Sequence, residues 1–198
     1  MATVNKAIPI TVGKVVGSSD AHPAQRRLLE DASETFKIGT PVRVIAADGM
    51  LAESPAIVDN SAPIAGFSQE PGANLTTEGT PKTLTYGSVQ NQSSAVLIPV
   101  GAPPNDGKCG VNLAVDNTWF LGSIDVSGAG SDLIAATDLG LIFGLTKDAG
   151  NGFWYVDKTK TATGTGACVE IMELIDAVGT QWGKVLFRVT KAMQQFGT

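Results

Sequence analysis

The feature that most constrains this chain is its punctuation. Twenty-three glycines and ten prolines are scattered over 198 residues, and the apolar runs between them are short. Glycine supplies positive φ at no steric cost, while proline fixes φ and lacks an N–H, so both mark turns. Apolar runs this short meet a breaker before reaching helical length, which predicts many short strands joined by frequent turns. Residues 8–16 (IPITVGKVV) read as one strand and residues 40–46 (TPVRVIA) as another, with Asp48-Gly49 as a strong turn signal after it. In residues 64–67 (IAGF), Gly66 marks a bulge or a close backbone approach. Further apolar runs fall at 119–124, 139–145, 153–156, 169–175 and 185–189, with turn sequences at 148–152 (DAGNG) and 177–180 (AVGT). Val185, Phe187 and Val189 alternate with Leu186, Arg188 and Thr190, the period of a strand. Residues 169–176 suit a helical turn as well as a strand, and residues 23–34 (PAQRRLLEDASE) are the one helical patch ahead of the body.

The fold expected is therefore mainly β: a β-barrel or β-sandwich body, in one unit or two β lobes, with an extended N-terminal arm and little helix. Residues 1–35 are read as arm and connector. Residues 36–198 are the β-rich body, with a sub-boundary near 116–130.

Charge narrows the partners. Residues 1–29 carry Lys6, Lys14, Arg26 and Arg27 against Asp20, a net +3, whereas the remainder carries ten basic and eighteen acidic residues, a net −8. An acidic body argues against nucleic acid, which is bound by clustered cations facing phosphate. No stretch approaches the roughly 18 apolar residues of a membrane-spanning helix. Lys6, Pro9 and Lys14 interrupt the leading apolar segment, against a secretory signal and in favour of synthesis in a reducing cytoplasm. Cys109 and Cys168 fit no metal spacing; two buried free thiols are favoured over a disulfide, and the pairing stays open. From Thr83 to Asn105 no residue is charged, which predicts burial or contact with another chain.

Motifs that carry chemistry fail on spacing. Residues 96–110 (VLIPVGAPPNDGKCG) have the outline of a phosphate-binding loop, but five residues separate Gly101 from Gly107, and Cys109 stands where a hydroxyl is needed. Pro103 and Pro104 offer no N–H, and the alternating VNLAVDNTWF that follows opens no helix toward a phosphate. The loop is read as a hairpin or crossover connection. The one histidine, His22, lies in the connector, a poor place to hold a catalytic base. Gly128-Ala-Gly-Ser-Asp-Leu133 lacks the third glycine of a dinucleotide loop, and Gly66-Phe-Ser-Gln-Glu70 lacks the closing glycine of a nucleophile elbow. Trp119, Trp154 and Trp182 sit among apolar neighbours and read as core or interface residues. No catalytic, cofactor or metal site is expected.

The order of the pieces adds a resemblance. LLEDASETFKIGTPVRVIAADGML (residues 28–51) followed by PIAGFSQEPGAN (63–74) resembles the capsid decoration, or cement, proteins of tailed bacteriophages. The shared order is acid-Ala-Ser-x-Thr-Phe, a Gly-x-Pro-Val strand, an Asp-Gly turn and an Ile-Ala-Gly strand. The stretches 117–122 (NTWFLG), 140–145 (GLIFGL), 152–157 (GFWYVD) and 185–189 (VLFRV) continue the likeness, which covers most of residues 28–190. The resemblance implies a non-enzymatic structural virion protein on the exterior of a capsid, made in the host cytoplasm and reinforcing contacts between capsomers. Its partners would be the major capsid protein and its own copies, with a trimer as the leading stoichiometry. Val4, Ile8, Ile10 and Val12 could then add a strand to a neighbour's sheet edge or fold back on their own body. Arg26 and Arg27 are candidates for pairing with acidic capsid groups, or form a solvated pair. The alternatives are a tail-fibre or receptor-binding virion component, and a virion-associated glycan hydrolase using two carboxylates.

Overall fold

The computed structural model describes residues 7–17, 22–31, 34–55, 63–72, 83–85, 95–97, 108–126, 133–161 and 166–196. Its strands in chain order begin with β1 (Thr11–Val15), β2 (Gln25–Leu29), β3 (Pro41–Val44), β4 (Leu51–Glu53), β5 (Gly66–Ser68), β6 (Thr83–Thr85) and β7 (Ala95–Leu97). They continue with β8 (Lys108–Leu113), β9 (Thr118–Asp125), β10 (Ile142–Lys147), β11 (Trp154–Thr161), β12 (Ala167–Leu174) and β13 (Lys184–Val189). The fold is mainly β and is built from two principal sheets. The larger has the order β1-β9-β11-β10-β12-β13, with a further pairing between β9 and β13; the smaller has the order β2-β8-β5-β3-β4. A two-stranded ladder joins β6 to β7.

Turn chemistry fixes the hairpins. Between β3 and β4, Gly49 takes φ +74, its N–H reaches Ile45 O at 2.8 Å, and Asp48 Oδ1 accepts from Met50 N at 2.9 Å. Between β10 and β11, Asp148 and Phe153 close the turn at 2.8 Å, with Asp148 and Asn151 side chains accepting from Gly150 N and Phe153 N. At Gly66 an added Cβ would lie 2.1 Å from Asn112 O, so the glycine is a close backbone approach between β5 and β8.

Two expectations resolve toward strand. Residues 169–176 fall largely in β12, where a register shift between Ile171 and Glu173 against β13 displaces the apolar alternation and gives the run its helix-like spacing. The helical patch at 23–34 is corrected: residues 25–29 are β2, paired residue for residue with β8. The segment buries only part of Leu28 among its apolar residues, so it has no apolar helical face, and the ladder satisfies its backbone instead.

The two sheets share a core. Ile64 and Phe67 from the smaller sheet's side join Phe120, Val156, Val169 and Phe187 of the larger. Ring centroids of Phe67 and Phe120 lie 4.4 Å apart, and those of Phe67 and Phe187 lie 5.9 Å apart. A second cluster of Phe36, Val42, Leu51, Cys109, Val111 and Leu113 belongs to the smaller sheet. The chain crosses between sheets at 114–117, where Ala114 N donates to Ala65 O and Thr118 N to Val115 O.

Candidate interaction surface

The residues singled out from the sequence do not converge on one surface. Val4 lies outside the described residues. Ile8 is half-buried, and Ile10 is 1% exposed in the shared core. Val12 packs against the same core and faces Phe120 in the β1–β9 ladder. Of the two arrangements open for this segment, residues 11–15 take the fold-back: they form an antiparallel strand on their own β9. Ile10 thus spends its apolar side chain inside its own body. Arg26 and Arg27, neighbours on a strand, point to opposite faces. The Arg26 guanidinium sits 5.1 Å from the Phe196 ring. Arg27 pairs with Glu70 at 3.1 Å and donates to Lys108 O at 2.9 Å.

Other sequence candidates are placed as follows. The turn at 101–107 lies outside the described residues, while Lys108 opens β8 and Cys109 is fully buried. Both cysteines are free. His22 is exposed ahead of β2. Trp154 and Trp182 are buried, and Trp119 is half-buried with Lys14 Nζ 4.7 Å from its ring. Trp182 holds φ +49, with its ring edge-on to Tyr155 at 5.2 Å. Such a backbone persists where surrounding packing over-determines it.

One buried carboxylate, Asp157, is densely hydrogen-bonded. Asp157 accepts from Thr159 N at 3.0 Å, Thr159 Oγ1 at 2.6 Å, Thr146 Oγ1 at 2.8 Å and Lys160 Nζ at 3.0 Å. Burial raises its carboxyl, but these donors outweigh burial and hold it at about 2. A carboxylate so stabilised is a poor proton acceptor at neutral pH, and its place in the fold is structural. Beside it, burial and then the charges of Asp157, Asp125 and Asp148 push the Tyr155 phenol well above its ordinary range. Burial pushes the Cys168 thiol up to about 12, far from the thiolate a nucleophile requires. At the seam between sheets, Lys147 Nζ reaches both Glu53 oxygens at 2.7 and 2.9 Å, and Trp154 Nε1 donates to Glu53 at 3.1 Å. Among the described residues no group of three His, Cys, Asp or Glu side chains is placed to hold a metal ion.

What the sequence reading missed is an apolar rim. Leu133, Leu139, Leu141, Ile175 and Val178 are each between 43% and 61% exposed. Residues 133–141 run from the 175–181 turn to β12. At one end Leu133 bridges Gln181, Ile134 N donates to Thr180 O, and Gly179 N donates to Ile134 O. At the other, Gly140 N donates to Ile171 O and Ile171 N to Leu141 O. Lys158 clamps the middle, donating to Leu133 O and Asp138 Oδ2, both at 3.1 Å. Ile134 and Asp138 turn inward, 2% and 3% exposed, with Ile134 in the core. The run at 139–145 read as a single strand, yet β10 begins only at Ile142, and the residues before it keep their leucines in water. The available signal was the leucine spacing Leu133, Leu139, Leu141 around polar Thr137 and Asp138.

No protein-family model matches this sequence, and no curated protein is similar to it.

Proposed function

We propose that this chain is a structural virion protein that binds the exterior of a tailed-phage capsid and reinforces contacts between capsomers, acting as a homo-oligomer with a trimer as the leading form. The observation that carries the reading is the apolar rim. Five half-exposed aliphatic side chains drawn from two adjoining segments disfavour contact with water and are suited to being covered by another protein surface. The ordered likeness of residues 28–190 to decoration proteins supplies the identity of that surface, the major capsid protein and neighbouring copies. A cement protein needs no reaction centre. Binding the closed shell more tightly than its open state stabilises it by mass action, and many modest contacts add through multivalency.

The same reading includes a finer statement of the fold, that the larger sheet closes into a small barrel. In its support, β13 pairs with β12 on one edge and with β9 on the other, from Lys184–Ser123 to Phe187–Phe120. Pairings therefore run from β9 through β11, β10, β12 and β13 back to β9. In the smaller sheet, Glu30, just past β2, bridges Leu51 of β4. Closure removes sheet edges, which suits a part packed in many copies at high local concentration.

Quantitative mass spectrometry of purified particles, before and after a mild chaotrope wash, tests the proposal. The expected result is on the order of hundreds of copies per particle, released while the shell stays closed. A handful of copies would move the protein to the tail, and none would overturn the virion reading. The rim has its own test: Leu139→Asp with Val178→Asp should leave the fold intact, as both side chains are exposed, and weaken shell binding at least about tenfold. Unchanged binding would remove the rim from the contact.

A further inference from the structure

Past β13 the chain leaves the larger sheet and crosses to the smaller. Thr190 N donates to Cys168 O at 2.9 Å, a single 3₁₀ turn covers Lys191–Met193, and Met193 is buried in the shared core. From there the contacts change side. Ile64 N donates to Met193 O at 2.7 Å and Gln195 N to Ile64 O at 2.9 Å. The Gln195 side chain then acts as a strand would. Its Oε1 accepts from Val44 N at 2.8 Å and its Nε2 donates to Val44 O at 2.7 Å, satisfying both backbone groups of one β3 residue. Gln194 Nε2 reaches Asp116 Oδ1 and Val189 O, each at 2.9 Å. Phe196 packs against the smaller sheet's cluster, beneath the Arg26 guanidinium.

We propose that residues 194–196 form a releasable clasp: their detachment opens the core of the smaller sheet while the larger sheet, with Met193 still seated, remains folded. Three properties make this segment the place to open. On the smaller sheet's side it is held by the Gln195 side-chain amide, the Gln195 N–Ile64 O bond and one partly buried ring, contacts that water can replace group by group, while Gln194 reaches Asp116 and Val189 O. It lies beyond the last strand, so releasing it breaks none of the strand ladders. The residues it covers, Val44 and the cluster containing Cys109, belong to the sheet with the smaller core. Opening in such units, well below the free energy of global unfolding, is the ordinary behaviour of weakly packed regions.

The protein carries its own reporters. Cys109 sits in the smaller core and Cys168 in the larger, both free and fully buried. Alkylation of the full chain under native conditions, read site by site by mass spectrometry, follows the two cores separately. Gln195→Glu keeps the shape of the side chain but sets a second acceptor against Val44 O. It should speed Cys109 labelling about tenfold and leave Cys168 labelling unchanged. Equal acceleration at both thiols, or none at either, overturns the clasp. Should the variant fail to fold, the unaltered chain in increasing low urea decides. Cys109 and the Val44 amide must open together and before Cys168, and coincident labelling of the two thiols overturns the proposal.

Discussion

In the larger sheet the buried side chains meet chiefly one another, whereas in the smaller sheet several of them meet the larger. Phe120, Phe143, Leu145, Trp154, Val169 and Phe187 all come from β9 to β13 and fill one interior. The smaller sheet keeps Phe36, Val42, Leu51, Cys109, Val111 and Leu113 for its own cluster and lends Ile64, Phe67 and Ala114 to its neighbour. Polar groups divide in a parallel way. The larger sheet buries Asp157 beneath bonds from Thr146, Thr159 and Lys160, while on the smaller sheet Gln25 and Gln69 share Asn112, and the more exposed Arg27 pairs with Glu70. The difference teaches that the smaller sheet is the dependent partner. Apolar burial scales with enclosed area, and part of its enclosure is supplied from across the seam.

Phe67 gives the hardest test of that dependence. It is fully buried on β5, yet its ring lies against Phe120 and Phe187. Phe67→Ala should cost about 3–5 kcal/mol in chemical denaturation, and it should expose both thiols, because the core it leaves is common to both sheets. A loss below about 1 kcal/mol, or exposure of Cys109 alone, would break the claim that the core is shared.

Asp157 probes the larger sheet by itself. Its carboxyl is held at about 2 against an ordinary 3.8. A group whose folded value is lowered contributes stability that is complete above the unfolded value and is lost as pH falls through 3.8 toward 2. Asp157→Asn should therefore cost on the order of 2 kcal/mol at neutral pH and flatten the stability profile between about pH 4 and pH 2. An acid limb of unchanged slope in that window would mean that other carboxylates carry it.

How much of this could be read beforehand differs between the sheets for physical reasons. The strands of the larger sheet announced themselves, since residues at 119–124, 153–156 and 185–189 are apolar enough to be buried on sight, and the turns at 148–152 and 177–180 carry glycines where the chain reverses. The Asp48-Gly49 hairpin and the close approach at Gly66 were equally legible, because each rests on one residue's backbone freedom. Two kinds of feature were not. β2 is made of Gln, Arg and Leu, whose intrinsic preference is helical, and only its partner β8, 79 or more residues further along in the β2–β8 register, makes it a strand. The rim was hidden because exposure is a tertiary property: Leu139 and Leu141 look like the start of β10, yet β10 begins at Ile142 and both leucine side chains stay in water. The amide pairing of Gln195 with Val44 has no local signal, as its partner is 151 residues away.

The smallest expected effect closes the comparison from the other side. Arg27 looks important in sequence, one of an adjacent arginine pair in a weakly charged chain, and in the structure it reaches both Glu70 and Lys108 O. Its side chain is nevertheless 40% exposed. There the Coulomb attraction is screened by water and salt, and holding two long side chains in one geometry costs rotamer entropy. Glu70 also keeps the Gly110 N–H, at 2.7 Å, when the guanidinium is gone. Arg27→Ala should thus lower stability by less than about 1 kcal/mol, and the loss should shrink further in 0.5 M salt, roughly twice the screening of physiological ionic strength. Asp157→Asn in the same salt series should hold more of its cost, because the carboxylate is buried and its Lys160 partner is only 15% exposed. If the two variants respond to salt alike, the contrast between a buried polar cluster in the larger sheet and a more exposed one on the smaller is wrong, and the dependence of the smaller sheet must rest on the shared aromatic core alone.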